Sequence, residues 1–311
     1  MNWKKLGLVP VPPGIGLWAV HSALTPTPII RDAERLRVYA GFRDAEGVSR
    51  IGWMDVSTVD PTHVLEVCQR PALDVGRPGC FDDNGVILGD VVRIEDRFRM
   101  YYVGFQLVRG VKFLAFTGVA ESRDGGDTFQ RLSEAPFLDR SDEGLCIRAI
   151  HAILPCPEGW RAWYSVGSTW AMINGKPFPC YHVMTQVSAD GVTFRDSGSV
   201  CIAGQSDEYR LGRPRVWQDA VGYHMLFTYG TRGGAYLPGY AWSADGIAWQ
   251  RDDSQVGIAP SADGWDSRML CYLAPLRVGD RWLAAYNGND AGYDGFGWAE
   301  RITEPRTLHH P

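Results

Sequence analysis

Gly79-Cys80-Phe81-Asp82-Asp83-Asn84-Gly85-Val86-Ile87-Leu88-Gly89-Asp90-Val91-Val92 places two adjacent carboxylates and a glycine directly ahead of an apolar run. The run is short and rich in β-branched residues, the pattern of a buried strand. After a turn comes an aromatic strand of period two, Phe98-Arg99-Met100-Tyr101-Tyr102, and the same plan recurs on both sides. Pro28-Ile29-Ile30 leads to Arg37-Val38-Tyr39-Ala40-Gly41, and Ala152-Ile153-Leu154 leads to Trp160-Arg161-Ala162-Trp163-Tyr164. Arg215-Val216-Trp217 leads to Tyr223-His224-Met225-Leu226-Phe227, and Pro275-Leu276-Arg277 to Trp282-Leu283-Ala284-Ala285-Tyr286. The anchors at 28, 91, 152, 215 and 275 lie 63, 61, 63 and 60 residues apart. A near-constant step of this kind announces a repeat architecture.

Each unit continues into a third strand that ends in a tight turn. The clearest are Ser122-Arg123-Asp124-Gly125-Gly126-Asp127-Thr128-Phe129, Ser188-Ala189-Asp190-Gly191-Val192-Thr193-Phe194 and Ser243-Ala244-Asp245-Gly246-Ile247-Ala248-Trp249. The Asp-Gly pair supplies the left-handed backbone that such turns need. The first matches S-x-D-x-G-x-T-F, the Asp-box of sialidase-type propellers, where it is a structural turn. With no sustained helical period, the sequence predicts an all-β fold, a five-bladed β-propeller with four antiparallel strands per blade. Residues 1–311 are expected to form one domain without a linker. The last unit lacks an outer strand, because only residues 303–311 follow it. Trp3-Lys4-Lys5-Leu6-Gly7-Leu8-Val9 is expected to supply that strand and close the ring.

The formal net charge of -5 leaves no basic footprint for nucleic acid. No run reaches the roughly 18 apolar residues of a membrane helix, and the broken apolar stretch at the N-terminus is too short for a signal segment. A cytoplasmic protein with no membrane partner is expected. The seven cysteines are odd in number and never form a C-x-x-C pair, which reads as small buried hydrophobes rather than a disulfide framework or zinc site. Only His309 and His310 lie within a turn of each other. No metal is expected, and with no Walker, dinucleotide, zincin or serine-hydrolase motif, no cofactor either.

In a propeller the innermost strands surround a central channel, so the residues leading into them share one pocket. In chain order these are His21-Ser22, then Asp82-Asp83-Asn84, then Asp142, Glu143, Arg148 and His151. The fourth unit brings Asp207, Glu208, Arg210, Arg213 and Arg215, and the fifth Asp266, Arg268 and Tyr272. Opposed carboxylates suit the cleavage of a glycosidic bond, one protonating the leaving oxygen and the other activating water or attacking. Guanidinium groups suit a ligand that carries carboxylate or phosphate. The alternative reading is that acids and arginines form ion-pair networks tying the blades together. Asn287, in the polar loop Tyr286-Asn287-Gly288-Asn289, is placed to donate amide hydrogen bonds to hydroxyls.

Over nearly its whole length the chain resembles the five-bladed propeller glycosidases of the family 32/43/130 kind. More closely it is similar to a group of propeller proteins associated with bacterial surface-polysaccharide and specialised sugar biosynthesis. The resemblance rests on Arg43-Asp44, Phe81-Asp82-Asp83-Asn84-Gly85-Val86, Arg213-Pro214-Arg215-Val216 with Tyr223-His224-Met225, Tyr240-Ala241-Trp242-Ser243-Ala244-Asp245-Gly246, Gly264-Trp265-Asp266-Ser267 with Met269, and Tyr286-Asn287-Gly288-Asn289. It implies a basic aspartate in the first blade, yet Ser22-Ala23-Leu24-Thr25-Pro26-Thr27-Pro28 carries no carboxylate and only His21 stands beside it. Arg268 stands where the resemblance implies an acid, which makes the pocket more cationic.

Together these readings lead us to expect a carbohydrate-active enzyme, a glycoside hydrolase acting on a small anionic or nucleotide-linked sugar. Asp82 or Asp83 would be base or nucleophile, Glu208 the acid, and Asp266 a positioning group. His21, Arg148, His151, Arg213, Arg268, Tyr272 and Asn287 would bind the substrate. The missing first-blade acid keeps two alternatives open: a non-hydrolytic biosynthetic step (lyase, isomerase, cyclase or glycosyl transfer), or sugar binding without turnover.

Overall fold

The computed structural model describes residues 1–194 and 197–302; His309 and His310 lie outside the described residues. The first strand is β1 (Trp3–Pro10). Antiparallel meanders follow. The first is β2 (His21–Ile30), β3 (Arg35–Arg43), β4 (Ser49–Ser57) and β5 (Val64–Val67). The second is β6 (Val86–Ile94), β7 (Arg97–Gln106), β8 (Leu114–Ser122) and the short β9 (Gln130–Arg131). The third is β10 (Ile147–Cys156), β11 (Gly159–Ile173), β12 (Lys176–Ser188) and β13 (Ser199–Ile202). Next come β14 (Glu208–Asp219), β15 (Gly222–Thr231), β16 (Tyr236–Ser243) and β17 (Gln250–Arg251). The last comprises β18 (Cys271–Val278), β19 (Arg281–Asn287) and β20 (Gly295–Arg301). β1 pairs antiparallel with β20, from Trp3 opposite Arg301 to Pro10 opposite Gly295, and so completes that sheet from the other end of the chain. Helix is confined, among the described residues, to short turns at Asp253–Gln255 and Asn289–Gly292. Among the described residues no helix is long and apolar enough to cross a membrane.

The middle strands are apolar on both faces because each meander packs against its neighbours on two sides. Tyr102 of β7 shares a core with Trp53 of β4, and Tyr101 of the same strand shares another with Tyr164 of β11. Trp163 of β11 packs with Phe227 of β15, and Leu226 with Tyr286 of β19. Trp298 of β20 returns to Val38 and Met54 of the first meander. The first strands meet in the same cyclic order: β2 with β6, β6 with β10, β10 with β14, β14 with β18, and β18 with β2.

Polar latches follow the repeat. The Tyr39 hydroxyl donates to the Gly126 carbonyl at 2.8 Å, Tyr101 to Gly191 at 2.7 Å, and Trp163 Nε1 to Gly246 at 3.1 Å. Each joins the second strand of one meander to the Asp-Gly turn of the next. Within the turns, Asp190 accepts from the Thr193 and Val192 amides, which hold its carboxyl well below the usual range. These turns act as joints between sheets.

Candidate functional site

Every first strand is interrupted at a corresponding point by a shift in register. The shifts lie between Leu24 and Thr27 in β2, Leu88 and Asp90 in β6, Ile150 and Ala152 in β10, Gly212 and Arg215 in β14, and Cys271 and Ala274 in β18. A bulge turns its residue out of the ladder and re-aims the side chain. Thr25, Gly89, His151, Arg213 and Tyr272 lie within these bulges, at steps of 64, 62, 62 and 59 residues. Thr25, Arg213 and Tyr272 adopt φ of 51°, 53° and 60°. For residues with a Cβ this left-handed backbone is costly and needs support from its surroundings. Thr25, His151, Arg213 and Tyr272 line one cavity of about 420 Å³. In the second meander the equivalent residue is glycine, and a Cβ there would overlap the Ile150 and Tyr101 carbonyls.

Arg213 occupies the centre of this arrangement and is 3% exposed. Its Nη1 donates to the Leu88 carbonyl at 2.5 Å and the Gly89 carbonyl at 2.7 Å. Its Nη2 donates to the Thr25 carbonyl at 3.0 Å and Thr27 Oγ1 at 2.6 Å. All four acceptors are neutral. Burial, with Arg215 beside it, pushes this guanidinium below the usual arginine range. His151 Nδ1 lies 3.4 Å from Arg213 Nη1. Arg213 has only protons to offer, so Nδ1 is the acceptor and Nε2 carries the ring hydrogen. Burial first, then Arg213 and Arg215, holds the imidazole well below its ordinary value, so the ring is neutral. Arg215 is neutralised by Asp90 at 2.8 Å.

Arg43, Lys112 and Arg210 also line the cavity, and among the described residues no aspartate or glutamate does. Arg210 stacks 3.9 Å from the Tyr236 ring centroid and 5.4 Å from that of Phe178. Among the described residues, several buried side-chain atoms without a hydrogen-bond partner belong to its lining: Thr25 Oγ1, Ser49 Oγ, Ser165 Oγ and the Nε atoms of Arg43, Arg210 and Arg213. Tyr181 and Tyr236 share a hydroxyl hydrogen bond of 2.9 Å. Burial pushes these two phenols and Tyr272 upward, so all three remain protonated. Among the described residues the charged groups on the walls are therefore all cationic, set among hydroxyls and apolar side chains. Buried charge and unpaired donors are costly unless a partner satisfies them. An acceptor-rich, anionic group satisfies both.

Of the residues expected at the site, His151, Arg213 and Tyr272 line the cavity; the four carboxylates proposed for catalysis do not. Asp82 is fully buried, accepting from Arg131 Nε at 2.7 Å and the Tyr102 hydroxyl at 3.1 Å. Asp266 pairs with Lys5 of β1 at 2.6 Å and accepts from the Tyr286 hydroxyl at 3.0 Å. Glu143, at the matching place in the third meander, accepts from Arg148 at 2.8 Å and the Tyr164 hydroxyl at 3.0 Å. Glu208 is gripped by both terminal nitrogens of Arg251, at 2.7 and 2.8 Å. Burial alone would raise Glu208, but the Arg251 bonds win and hold it below the usual glutamate range, opposite to what a general acid needs near neutral pH. Asp83 accepts from the Gly79 amide at 2.8 Å. The acids recur from meander to meander because each ties the entrance of a first strand to its own sheet.

The remaining expected binders are also held elsewhere. His21 stacks on Tyr293 with centroids 4.8 Å apart, and Arg268 is exposed and paired with Asp290 at 3.1 Å. Asn287 is fully buried, accepting from the Thr25 amide at 2.8 Å and donating to the Ala23 carbonyl at 2.9 Å, which clamps the last sheet to the first. Among the described residues no group of three or more His, Cys, Asp or Glu is placed to hold a metal ion. Thr25 was legible in the sequence as the residue 64 before the glycine of the second unit, within the same repeat. Arg43 sits at the end of β3 and Lys112 in the loop between β7 and β8, outside that repeat, and they carry no such signal.

Comparison with solved structures bears on the fold. A glycoside hydrolase superposes with a TM-score of 0.75 at 16% identity, covering 98% of this chain and 93% of its own. A thermostable family-43 glycoside hydrolase gives 0.70 at 16% identity, covering 92% of this chain and 91% of its own. β-1,2-Mannobiose phosphorylase from Listeria innocua, solved with β-1,2-mannobiose, gives 0.70 at 14% identity and covers 97% of both chains. The chain thus has the propeller fold of these glycosidase-like proteins. No family model matches it. In sequence, it is 31% identical over 300 residues to the uncharacterized protein Rv1502 of Mycobacterium tuberculosis (strain ATCC 25618 / H37Rv). That match spans 96% of this chain and 99% of its relative, and the protein therefore belongs to the family of Rv1502.

Proposed function

We propose that residues 1–311 form a single five-bladed β-propeller and that the protein is a carbohydrate-active enzyme holding an anionic sugar derivative in its central cavity. The observation that carries this reading is the charge of the lining: Arg43, Lys112, Arg210 and Arg213 beside a neutral His151, with no aspartate or glutamate among the described residues that line it. The likeness to glycoside hydrolases and a phosphorylase supports the sugar, and cations that meet no carboxylate among the described residues support the anion.

The reaction that suits this lining is transfer or rearrangement of a glycosyl phosphate or nucleotide-linked sugar, the class to which a biosynthetic role would belong. As the glycosyl C–O bond breaks, the phosphate departs as an anion with the bonding electron pair, while an acceptor hydroxyl of the second substrate bonds the anomeric carbon in its place and releases its proton to solvent. Fixed guanidinium and hydroxyl donors stabilise that charge, and no carboxylic acid is required to protonate the departing oxygen. Hydrolysis by Asp82, Asp83, Glu208 and Asp266 would require these side chains to give up the bonds that hold them away from the cavity.

The test is a panel of glycosyl phosphates, nucleotide sugars and neutral aryl glycosides, with products read by mass spectrometry in isotopically labelled water. Turnover restricted to the anionic members is expected. Turnover of neutral glycosides that disappears in folded Glu208→Gln and Asp83→Asn variants would overturn the proposal in favour of carboxylate hydrolysis.

A further inference from the structure

The third meander departs from the others at one end. Ile147, the first residue of β10, pairs with Gly167, yet β11 and β12 run on together to Ile173 opposite Lys176. In the second meander the corresponding strands stop soon after Gly104, the partner of Val86. The extra length lies beyond the start of the first strand, so the hairpin overhangs the cavity at the end where the first strands enter. It contributes Pro177, Phe178 and Pro179 to the lining.

This overhang is apolar and is backed by an aromatic stack. Phe113 lies 5.2 Å edge-to-face from Trp170 on the hairpin and 5.2 Å from Phe105 at the end of β7. Phe105 and Phe113 line the same cavity as the arginines. Apolar side chains continue outward into solvent: Leu107 is 60% exposed and Met172 on the hairpin 64%. Exposed apolar surface continuous with a ligand pocket marks a place where something apolar is covered on binding. Arg213 and the bulged residues lie on the first strands and Arg43 at the end of β3, while Arg210 stacks on Phe178 and Lys112 adjoins Phe113, so cations border the apolar overhang.

Resting on the anionic-sugar reading above, we propose that the β11–β12 overhang is an aglycone subsite, and that the substrate is an anionic glycosyl conjugate with an apolar substituent. The phosphate faces the arginines and the apolar part lies against Phe113 and Phe178. Two sources share this chemistry: a nucleoside diphosphate sugar, whose base stacks on the rings, and an alkyl-phosphate sugar, whose chain runs along Leu107 and Met172.

Calorimetric titration with a hexose 1-phosphate, a uridine diphosphate hexose and an octyl-phosphate hexose tests the subsite. One substituted ligand is expected to bind at least tenfold tighter than the bare phosphate, and which one does identifies the source. Phe113→Ala and Phe178→Ala, each checked for an unchanged melting profile, are expected to remove that advantage; Phe113→Ala leaves hexose 1-phosphate affinity within twofold, whereas Phe178→Ala also weakens it because Arg210 stacks on that ring. Equal binding of all three ligands, or an advantage that survives both substitutions, overturns the subsite while the anionic reading stands. An octyl hexoside without phosphate that binds as tightly as the phosphate conjugate, with Arg210→Gln neutral throughout, overturns the anionic reading instead. Failure of all three to bind overturns both.

Discussion

Arg213 and Gly89 occupy equivalent bulges of β14 and β6, and the guanidinium of the one donates to the carbonyl of the other at 2.7 Å. The missing side chain at position 89 lets two carbonyls of neighbouring strands approach the glycine closely. Gly89→Ala is expected to destabilise the fold by about 2 kcal/mol, because the new methyl meets backbone that cannot give way cheaply. Urea denaturation measures it, with an unchanged midpoint as the contrary result. A folded fraction should also bind anions more weakly, since the Arg213 anchor shifts.

Arg210 stacks on Tyr236 with its Nε unpartnered. Arg210→Gln is expected to weaken binding of a glycosyl phosphate by tenfold or more while leaving the melting temperature unchanged or raised. The sign follows from removing a desolvated cation that no carboxylate among the described residues compensates. A fall in both affinity and stability would instead mark Arg210 as a structural residue.

Glu208 and Arg251 form a pair whose side chains are 8% and 9% exposed. Glu208→Gln is expected to cost about 1.5 kcal/mol at pH 7, because Arg251 keeps a second carboxylate, Asp253 at 2.6 Å, and loses only its charge-assisted bonds to position 208. Because the folded glutamate titrates below its ordinary value, the stabilisation is complete above the unfolded value and is lost as pH falls through the folded one. The gap between wild type and variant should therefore narrow below about pH 4. Melting curves from pH 7 to pH 3 show whether it does.

β1 completes the last sheet and places Lys5 on Asp266. Removing residues 1–10 exposes the whole edge of β20 and strips Asp266 of its cation. A drop of many degrees in melting temperature, with a tendency to self-associate through the bare edge, is expected by calorimetry and light scattering. A truncated chain with an unchanged melting curve would mean that the sheet holds without its outer strand.

The Tyr39 hydroxyl bond to the Gly126 carbonyl and the Tyr101 bond to Gly191 are buried and join different sheets. Tyr39→Phe and Tyr101→Phe should each cost about 1 to 2 kcal/mol, since each leaves a buried carbonyl without its donor. The double variant should be additive, because the two joints share no partner. Denaturation of the single and double variants measures both claims.

The order of the strands, the near-constant step between units and the edge that the N-terminal strand fills were all legible in the sequence. Each depends on local pattern: apolar runs of strand length, Asp-Gly turns at matching intervals, and a last unit one strand short. Which charges face the cavity was not legible. Asp82, Asp266 and Glu208 occupy matching places before first strands, and pattern alone makes them spokes of one site. The tertiary structure gives each a cation or tyrosine within reach, on strands 20 to 261 residues away in the chain, and so turns them into struts. The inward-facing residues come instead from the bulges, where one extra residue per first strand re-aims Thr25, His151, Arg213 and Tyr272. A slip of one residue exchanges the two faces of a strand. The sequence therefore determined the repeat, and only the bulged registers of the folded sheets decided which residues of each repeat meet the ligand.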